Sequence, residues 1–296
     1  MDQTLVIGST VIDVIISLPH LPGKGEDINI KKPVYRIGGC AYNVYKTMEY
    51  LKSPALLCSP AGSGLYGNMV KEILGAQGLK PFVNLDEENG CCFCLIDAEG
   101  ERSFLSCHGA EYLFYRSWMT GFDFSKTDSV YISGIDIEDC TGNEIIDFVY
   151  DHPELDLYFA PGPRILNIDP NRVTRILGRC NEKGKGPLVH LNREEACSLS
   201  GRESVEEAAG FIAGKTRNDL VITLGENGCY CYDYSASIGR YIPGFPAKVI
   251  DTTGAGDAHC GAVIAGLKQG KPLHESCIIA NKIGAAVAGI HGVVME

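Results

Sequence analysis

The sequence predicts an α/β fold with a mostly parallel central sheet and a second, smaller sheet, and two patterns carry that expectation. Beyond residue 120, short apolar strands alternate with amphipathic helical stretches, as in strand–helix–strand units whose sheet is covered by helices on both faces. Nearer the N-terminus, short runs alternate apolar and polar residues with period two, as half-exposed strands do.

Taken in order, Leu5-Val6-Ile7-Gly8 continuing to Val14-Ile15-Ile16 reads as a buried β-rich run with a functional edge. Between Gly25 and Tyr35, Ile28, Ile30 and Val34 alternate with polar neighbours, predicting half-exposed strands. Ala55–Ser59 reads as a strand and Asn68–Leu74 as a helix. Cys91–Asp97 and Ser103–Cys107 flank an Ala98-Glu99-Gly100-Glu101 turn like a hairpin, which is expected to join the Gly25–Tyr35 region in the smaller sheet. Strands follow at Ser129–Ser133, Leu155–Ala160, Pro187–Leu191 and Asp219–Leu224, with helices at Gly142–Tyr150, Pro170–Leu177, Arg193–Leu199 and Ser204–Lys215. A strand-like Ala247–Ile250 precedes a helical run from Ala258 to Lys268. No internal repeat or linker divides the chain, so residues 1–296 are expected to form a single domain. Ligands of such sheets collect at the carboxyl ends of the strands.

Composition removes several function classes. A net charge of −11 with no basic run argues against nonspecific binding to nucleic acid or to an anionic membrane. A phosphate-bearing ligand stays compatible where backbone N–H groups and a divalent metal supply the positive potential. Thirteen cysteines, scattered from Cys40 to Cys277 without the spacing of a disulfide framework, and no secretory leader before Leu5 predict a reducing, cytoplasmic setting. Cys91-Cys92-Phe93-Cys94 contains one CxxC, but no second pair follows at zinc-finger spacing, and the segment reads as a strand. No apolar run reaches the roughly 18 residues of a membrane span.

The strongest chemical signal is Asp251-Thr252-Thr253-Gly254-Ala255-Gly256-Asp257, which opens a helix. Glycines let the backbone turn with its N–H groups aligned, and the first helical turn leaves donors unpaired beside a partial positive charge. Such a turn is an anion cradle. Asp257 stands at its rim, placed to take a proton from a hydroxyl that attacks a phosphoryl group, although an Asp in this position can also simply cap the helix.

The run resembles the C-terminal signature of the ribokinase-like (PfkB) carbohydrate kinases, residue for residue from Asp251 to Asp257. The resemblance implies a ribokinase-like three-layer α/β/α sandwich with a small β-sheet lid, contributed by about residues 25–38 and 91–109. It implies Asp257 as catalytic base and an anion hole from the Gly254, Ala255 and Gly256 amides. His259, where the family commonly has an aromatic residue, lies about 200° around the helix from Asp257 and is expected to point away from it, as packing or surface.

Further motifs follow in the family's order, from Leu5 to Gly292. Gly38, Gly39 and Asn43, in Arg36–Val44, resemble the substrate motif, in which small glycines admit a ring and an Asn amide both donates and accepts. Asp13 stands where the family places an Asp that binds sugar hydroxyls. Asn192 and Glu195 resemble the family's Asn-x-x-Glu motif near Mg2+ and the phosphates, and the same pair also suits a helix capping box. Thr223, Gly225 and Gly228 resemble the nucleotide-side turn, which on its residues alone is equally a plain hairpin turn. Asn281 falls where relatives line the adenine pocket. The resemblance also leaves room for K+ on the carbonyls of Asp251 and Thr253 and the loop around Ala286 to Gly292. The lid implies candidate substrate selectors at Arg36, Arg102, His108 and Glu111, each of which also reads as solvated surface charge, and in relatives it often forms a homodimer contact.

The expected activity is therefore transfer of the γ-phosphoryl group of ATP, with Mg2+, to a hydroxymethyl group of a sugar or nucleoside. Two alternatives compete. Gly62-Ser63-Gly64-Leu65-Tyr66-Gly67, with Asp86 downstream, has the outline of a dinucleotide-binding fingerprint and hence of an NAD(P) oxidoreductase, though Pro60 interrupts its approach and it is not in the first βαβ unit. A non-catalytic sugar or nucleoside sensor keeping the fold is the other, against which the intact Asp257 and Gly254–Gly256 weigh. No Walker A pattern is present.

Overall fold

The computed structural model describes residues 2–290 and Gly292. The elements run β1 (Gln3–Ile7), β2 (Val11–Ser17), β3 (Val34–Gly38), α1 (Cys40–Tyr50), β4 (Ala55–Cys58), β5 (Pro60–Ser63), α2 (Gly64–Ala76), β6 (Val83–Glu88), β7 (Cys91–Ile96) and β8 (Arg102–Cys107). They continue with β9 (Thr127–Ser133), α3 (Gly134–Glu138), α4 (Gly142–Asp151), β10 (Asp156–Ala160), α5 (Pro170–Gly178), β11 (Leu188–Asn192), α6 (Arg193–Ser200), α7 (Val205–Thr216), β12 (Leu220–Thr223), β13 (Cys229–Asp233), β14 (Ile238–Ile242), α8 (Ala255–Lys268) and α9 (Leu273–Ala288).

Eight strands form the central sheet in the order β14-β13-β12-β11-β10-β9-β1-β4. It is parallel from β12 to β4, with antiparallel β13 and β14 closing one edge. Successive strand residues supply opposite faces. Val6, Tyr131, Tyr158 and Val221 join α1, α2, α8 and α9 in one apolar cluster. Leu5, Ile132, Phe159 and Ile222 join α4 to α7 in the other. Two buried clusters separated by one sheet make the α/β/α sandwich.

The smaller sheet has the order β3-β2-β7-β8 and contains the expected hairpin of β7 and β8. The N-terminal run is two strands, not one. At Gly8 the chain takes φ +140°, a value L side chains avoid, and leaves the central sheet to become β2. Because β2 lies between β3 and β7, the two regions expected to pair directly are bridged by a third strand. Residues 25–33 form no strand; β3 begins only at Val34.

Two further expectations fail for local reasons. Ala247–Ile250 is not a strand: the prolines at 243 and 246 lack donors, and Ile250 N–H and Asp251 N–H bond instead to Ala288 O. The edge belongs to β14. The Gly62–Gly67 outline belongs to a two-stranded β5-β6 pair outside the central sheet. A Cβ at Gly62 would collide with Glu87 O, and one at Gly67 with Gly62 O, so the glycines admit protein backbone and not a pyrophosphate.

Gly39 precedes α1 at φ +103°, and a Cβ there would strike Ser9 O. Gly39→Ala is expected to cost about 2 kcal/mol or more, read as a lower Tm. Gly210→Ala, within α7 and facing open space, is expected to hold or raise Tm, by up to about 1 kcal/mol.

Candidate active site

The site begins where two helices start against each other. Gly254, at φ +75°, turns the chain into α8 without a side-chain cap, and the helix starts at Ala255 instead of Ala258. Gly256 and Asp257 therefore lie in its first turn. The first i→i−4 bond runs from Ala258 N–H to Gly254 O at 2.8 Å. Ala255 N–H donates to Thr252 O at 3.2 Å, so this amide is not part of an open cradle, contrary to expectation. The Gly256 and Asp257 N–H groups, too early for an intrahelical partner, have no acceptor among the described residues.

Asp257 is half-buried, and its Oδ2 accepts from Asn43 Nδ2 of α1 at 2.8 Å. Burial pushes its carboxyl up to about 6, against the hydrogen bonds of Asn43 and the Cys40 thiol, which pull it down. Asn43 Oδ1 is buried with no partner among the described residues. One end of this amide is thus fixed on Asp257 while the other is left unsatisfied, an arrangement that costs stability unless a ligand completes it.

Asp257 lines a cavity of about 160 Å³ together with Cys40, Asn192, Glu195, Thr223 and Gly256. Asn192 and Glu195 form the capping box of α6: Asn192 Oδ1 accepts from Glu195 N–H at 2.8 Å, and Glu195 Oε2 from Asn192 N–H at 3.0 Å. Glu195 Oε1 accepts from Asn192 Nδ2 at 2.8 Å. Burial raises the Glu195 carboxyl, partly offset by the Asn192 amide. Each of its oxygens retains a second lone pair.

A wider cleft of about 640 Å³ shares Thr223 and Gly256 with this cavity and extends along Gly225, Gly228, His259 and Asn281. Gly225–Asn227 is a single 3-10 turn joining antiparallel β12 and β13, so the hairpin reading and the cleft-lining reading hold together. Asn281 lines the cleft, but its amide is spent on the protein. Nδ2 donates to Ile242 O at 3.1 Å and Pro243 O at 3.0 Å, and Oδ1 lies 2.9 Å from His259 Nε2. Those carbonyls fix the amide's orientation, making His259 Nε2 a donor, and its Nδ1 lies 2.9 Å from His190 Nε2. His259 is buried packing within the cleft wall, and Asn281 shapes that wall.

On the other side of Asp257, Asp13, Arg36, Gly38, Asn43, Arg102 and Asp251 surround about 20 Å³, space for roughly one water molecule. Burial, then the charges of Asp257 and Asp251, push Asp13 up to about 7. A Cβ at Gly38 would collide with the Asp13 carboxylate, whereas Gly39 faces Ser9 O. The second glycine thus serves backbone approach and not a ligand ring. Asp251 Oδ1 accepts from Thr253 N–H at 2.9 Å and pairs with Arg102 Nη2 at 3.2 Å, while Arg36 Nη1 stands 3.9 Å from Oδ2. Arg102 Nη1 also donates to Thr252 Oγ1 at 2.9 Å. Both arginines tie the small sheet to the glycine turn.

His108 and Glu111 do something else. His108 pairs with Asp139 at 2.7 Å and stacks on Tyr112, and the fully buried Glu111 accepts from Gly90 N–H at 2.8 Å and Gly109 N–H at 3.1 Å. Neither reaches the Asp13 pocket. In the expected cation loop, residues 286–288 are the end of α9, and His291 lies outside the described residues. The sequence reading passed over Cys40, whose place directly after Gly39 at a helix start was the available signal. It also passed over Asp136, fully buried beneath Gly8, bonded to Ser9 N–H at 3.1 Å and Ser133 Oγ at 2.6 Å, and pushed up to about 7 by burial.

The pfkB family carbohydrate kinase pattern matches residues 1–144 and 187–295. The uncharacterized sugar kinase YegV of Escherichia coli (strain K12) is 31% identical over 98% of this chain and 89% of its own. An Arabidopsis thaliana ribokinase complexed with ribose and ATP superposes with a TM-score of 0.79 at 19% identity, covering 99% of this chain and 94% of that one. A Burkholderia thailandensis nucleoside kinase in complex with inosine does so with a TM-score of 0.78 at 20% identity, covering 99% and 93%. The structural likenesses show a ribokinase fold, and the sequence matches show that the chain belongs to the pfkB family of carbohydrate kinases, phosphotransferases with an alcohol acceptor.

Proposed function

We propose that the protein, as a single kinase domain, transfers the γ-phosphoryl group of ATP to a hydroxymethyl group of a sugar or nucleoside, with Asp257 as general base. The observation that carries this reading is the position of Asp257. It lines the 160 Å³ cavity, which shares Thr223 and Gly256 with the wide cleft, and at the start of α8 it is held by Asn43, which lines the small pocket of Asp13. The triphosphate would extend from the cleft toward the Gly256 and Asp257 amides, whose N–H groups stabilise the charge on the transferring phosphoryl oxygens. Thr223, Gly225 and Gly228 border its path, and Asn281 shapes the wall beside the base.

The acceptor hydroxyl would lie on the Asp13 side. Asn43 Oδ1 and the Asp13 carboxylate accept from its neighbouring hydroxyls, and Asp257 takes the proton as the new P–O bond forms. Glu195, which lines the 160 Å³ cavity and keeps a free lone pair on each oxygen, fits a hydrated Mg2+, which would neutralise phosphate charge in an otherwise acidic protein. Asp251 and Thr253 carbonyls are the donors K+ would use. The present acceptor pocket holds about one water, so entry requires the small sheet to lift, and its return excludes water that would otherwise take the phosphoryl group. Exposed Val34, Tyr35, Phe104 and Leu105 on the small sheet support a homodimer through the lid, and free cysteines support a cytoplasmic location.

Asp257→Asn is expected to lower kcat at least about 100-fold while leaving the ATP Kd nearly unchanged, measured by coupled assay and calorimetry over a sugar and nucleoside panel. Near-normal turnover would overturn the base assignment. Folding is not the cause of the loss: a carboxyl whose folded pKa exceeds its unfolded value costs stability above that pKa, so the variant's Tm at pH 8 should equal or exceed the parent's.

Because the base must be ionised, kcat/KM should be full at high pH and fall as pH drops through about 6. Asp13 interacts with Asp257, and the acid limb reports the pair. Asn43→Ala removes a bond that holds the Asp257 carboxyl down. The limb should move to higher pH, and an unmoved limb would separate it from Asp257.

A further inference from the structure

One side-chain cluster shares only Asp13 with the reaction above. Asp13 on β2 is the register partner of Cys92 on the adjacent parallel strand β7, and Cys94 lies two residues further along β7, on the same face. One ligand atom from each lies within 4.8 Å of the others. The two sulfurs are 3.9 Å apart. Tetrahedral zinc, with Zn–S bonds of about 2.3 Å, sets its two sulfurs roughly 3.8 Å apart. The sulfur edge of such a site is therefore already in place without moving the strand.

The surroundings favour a cation of this kind. The free volume bordered by Asp13 and Cys94 is about 20 Å³, sized for a water or an ion and not for a sugar. Asp251 and Asp257 add negative potential at Asp13. Two thiolates and a carboxylate exceed a divalent charge by one, and Arg36 and Arg102 line the same pocket to balance it; Arg36 Nη1 is buried without a hydrogen bond among the described residues. Thiolate ligands select a soft cation over Mg2+.

We infer that Asp13, Cys92 and Cys94 form a binding site for a thiophilic divalent cation of the Zn2+ class, with its fourth position open to the pocket. Binding releases the thiol protons to solvent. An ion there occupies the Asp13 carboxylate and so competes with the acceptor, a consequence that rests on the reading of Asp13 as an acceptor contact.

The test uses Co2+ as a spectroscopic probe on the full, reduced chain. The parent protein should take up one equivalent, with a thiolate-to-cobalt charge-transfer band. The Cys92→Ser/Cys94→Ser double variant should lose that band, while the Cys107→Ser/Cys140→Ser control, at two exposed thiols, keeps it. Asp13→Asn should keep the band and weaken Co2+ binding about 10-fold, a readout that survives if the double variant misfolds. A band absent from the parent, or unchanged in a folded double variant, overturns the site. Zn2+ should also raise the apparent KM for the acceptor in the parent. If the band behaves as expected but that KM does not move, the metal site stands, and Asp13 as an acceptor contact is what fails.

Discussion

The hydrogen bond from Asn43 to Asp257 joins residues 214 positions apart, and everything chemical in the molecule is arranged around it. It exists because α1 and α8 pack closely enough for their first turns to meet. Gly261, one turn along α8, makes that possible: a Cβ there would press on Val44 O at 2.8 Å and Thr47 Cβ at 3.0 Å. The central sheet supplies the rest at the carboxyl ends of its strands. Asn192 ends β11, Thr223 ends β12 and Ser133 ends β9, so the phosphate-side cavity opens where parallel strands stop and helices start.

The electrostatics follow from that crowding. Asp13, Asp251 and Asp257 share one region of an acidic protein, and among the described residues only Asp251 is paired with cations, Arg36 and Arg102. Burial lifts both Asp13 and Asp257 toward neutrality, and at Asp13 the charges of Asp257 and Asp251 add to it. An ionised pair is costly until something donates to it. Hydroxyls of an acceptor would supply such donors, so acceptor binding and ionisation of the two carboxyls favour each other. For Asp257 this places a carboxylate, ordinarily a poor base, closer to the range in which proton transfer is efficient.

Much of this was legible in the sequence, and the gaps have physical causes. The four strands and four helices expected between Ser129 and Leu224 follow from local periodicity, and each appears within a residue or two of its expected bounds. Glycine and proline effects that act through distant contacts were not legible. Nothing local to Leu5–Ile16 reveals that Gly8 must clear Asp136, which divides the run between two sheets. Likewise the Gly62–Gly67 spacing is the same whether the glycines admit a pyrophosphate or the Glu87 carbonyl. Among site residues, the motif spacing around Asn43, Asn192 and Asp257 identified positions that the fold brings to one region. It gave no warning that the amides of Ala255 and Asn281 would be taken up by Thr252, Ile242 and Pro243, since those partners depend on turns that only tertiary packing sets.

The small sheet's connections explain how its movement would reach the reacting groups. Every strand crossing between the layers does so at a glycine: Gly8 into β2, Gly38 and Gly39 out of β3, Gly90 into β7 and Gly109 out of β8. The last two crossings are pinned, because Glu111 accepts from both Gly90 N–H and Gly109 N–H and is itself fully buried. The Gly8 crossing is held next door, where the buried Asp136 accepts from Ser9 N–H, and the first two crossings lead directly to Asp13 and Asn43. A lid held at Glu111 and Asp136 that bends in β2 and β3 beyond those anchors would carry Asp13 with it while leaving Asn43 on α1 against Asp257. Opening then separates the acceptor contact from the base, and closing reunites them only when Arg36 and Arg102 return to Asp251. In the proposed reaction, the base is complete throughout the cycle, and it is the acceptor's position that closure decides.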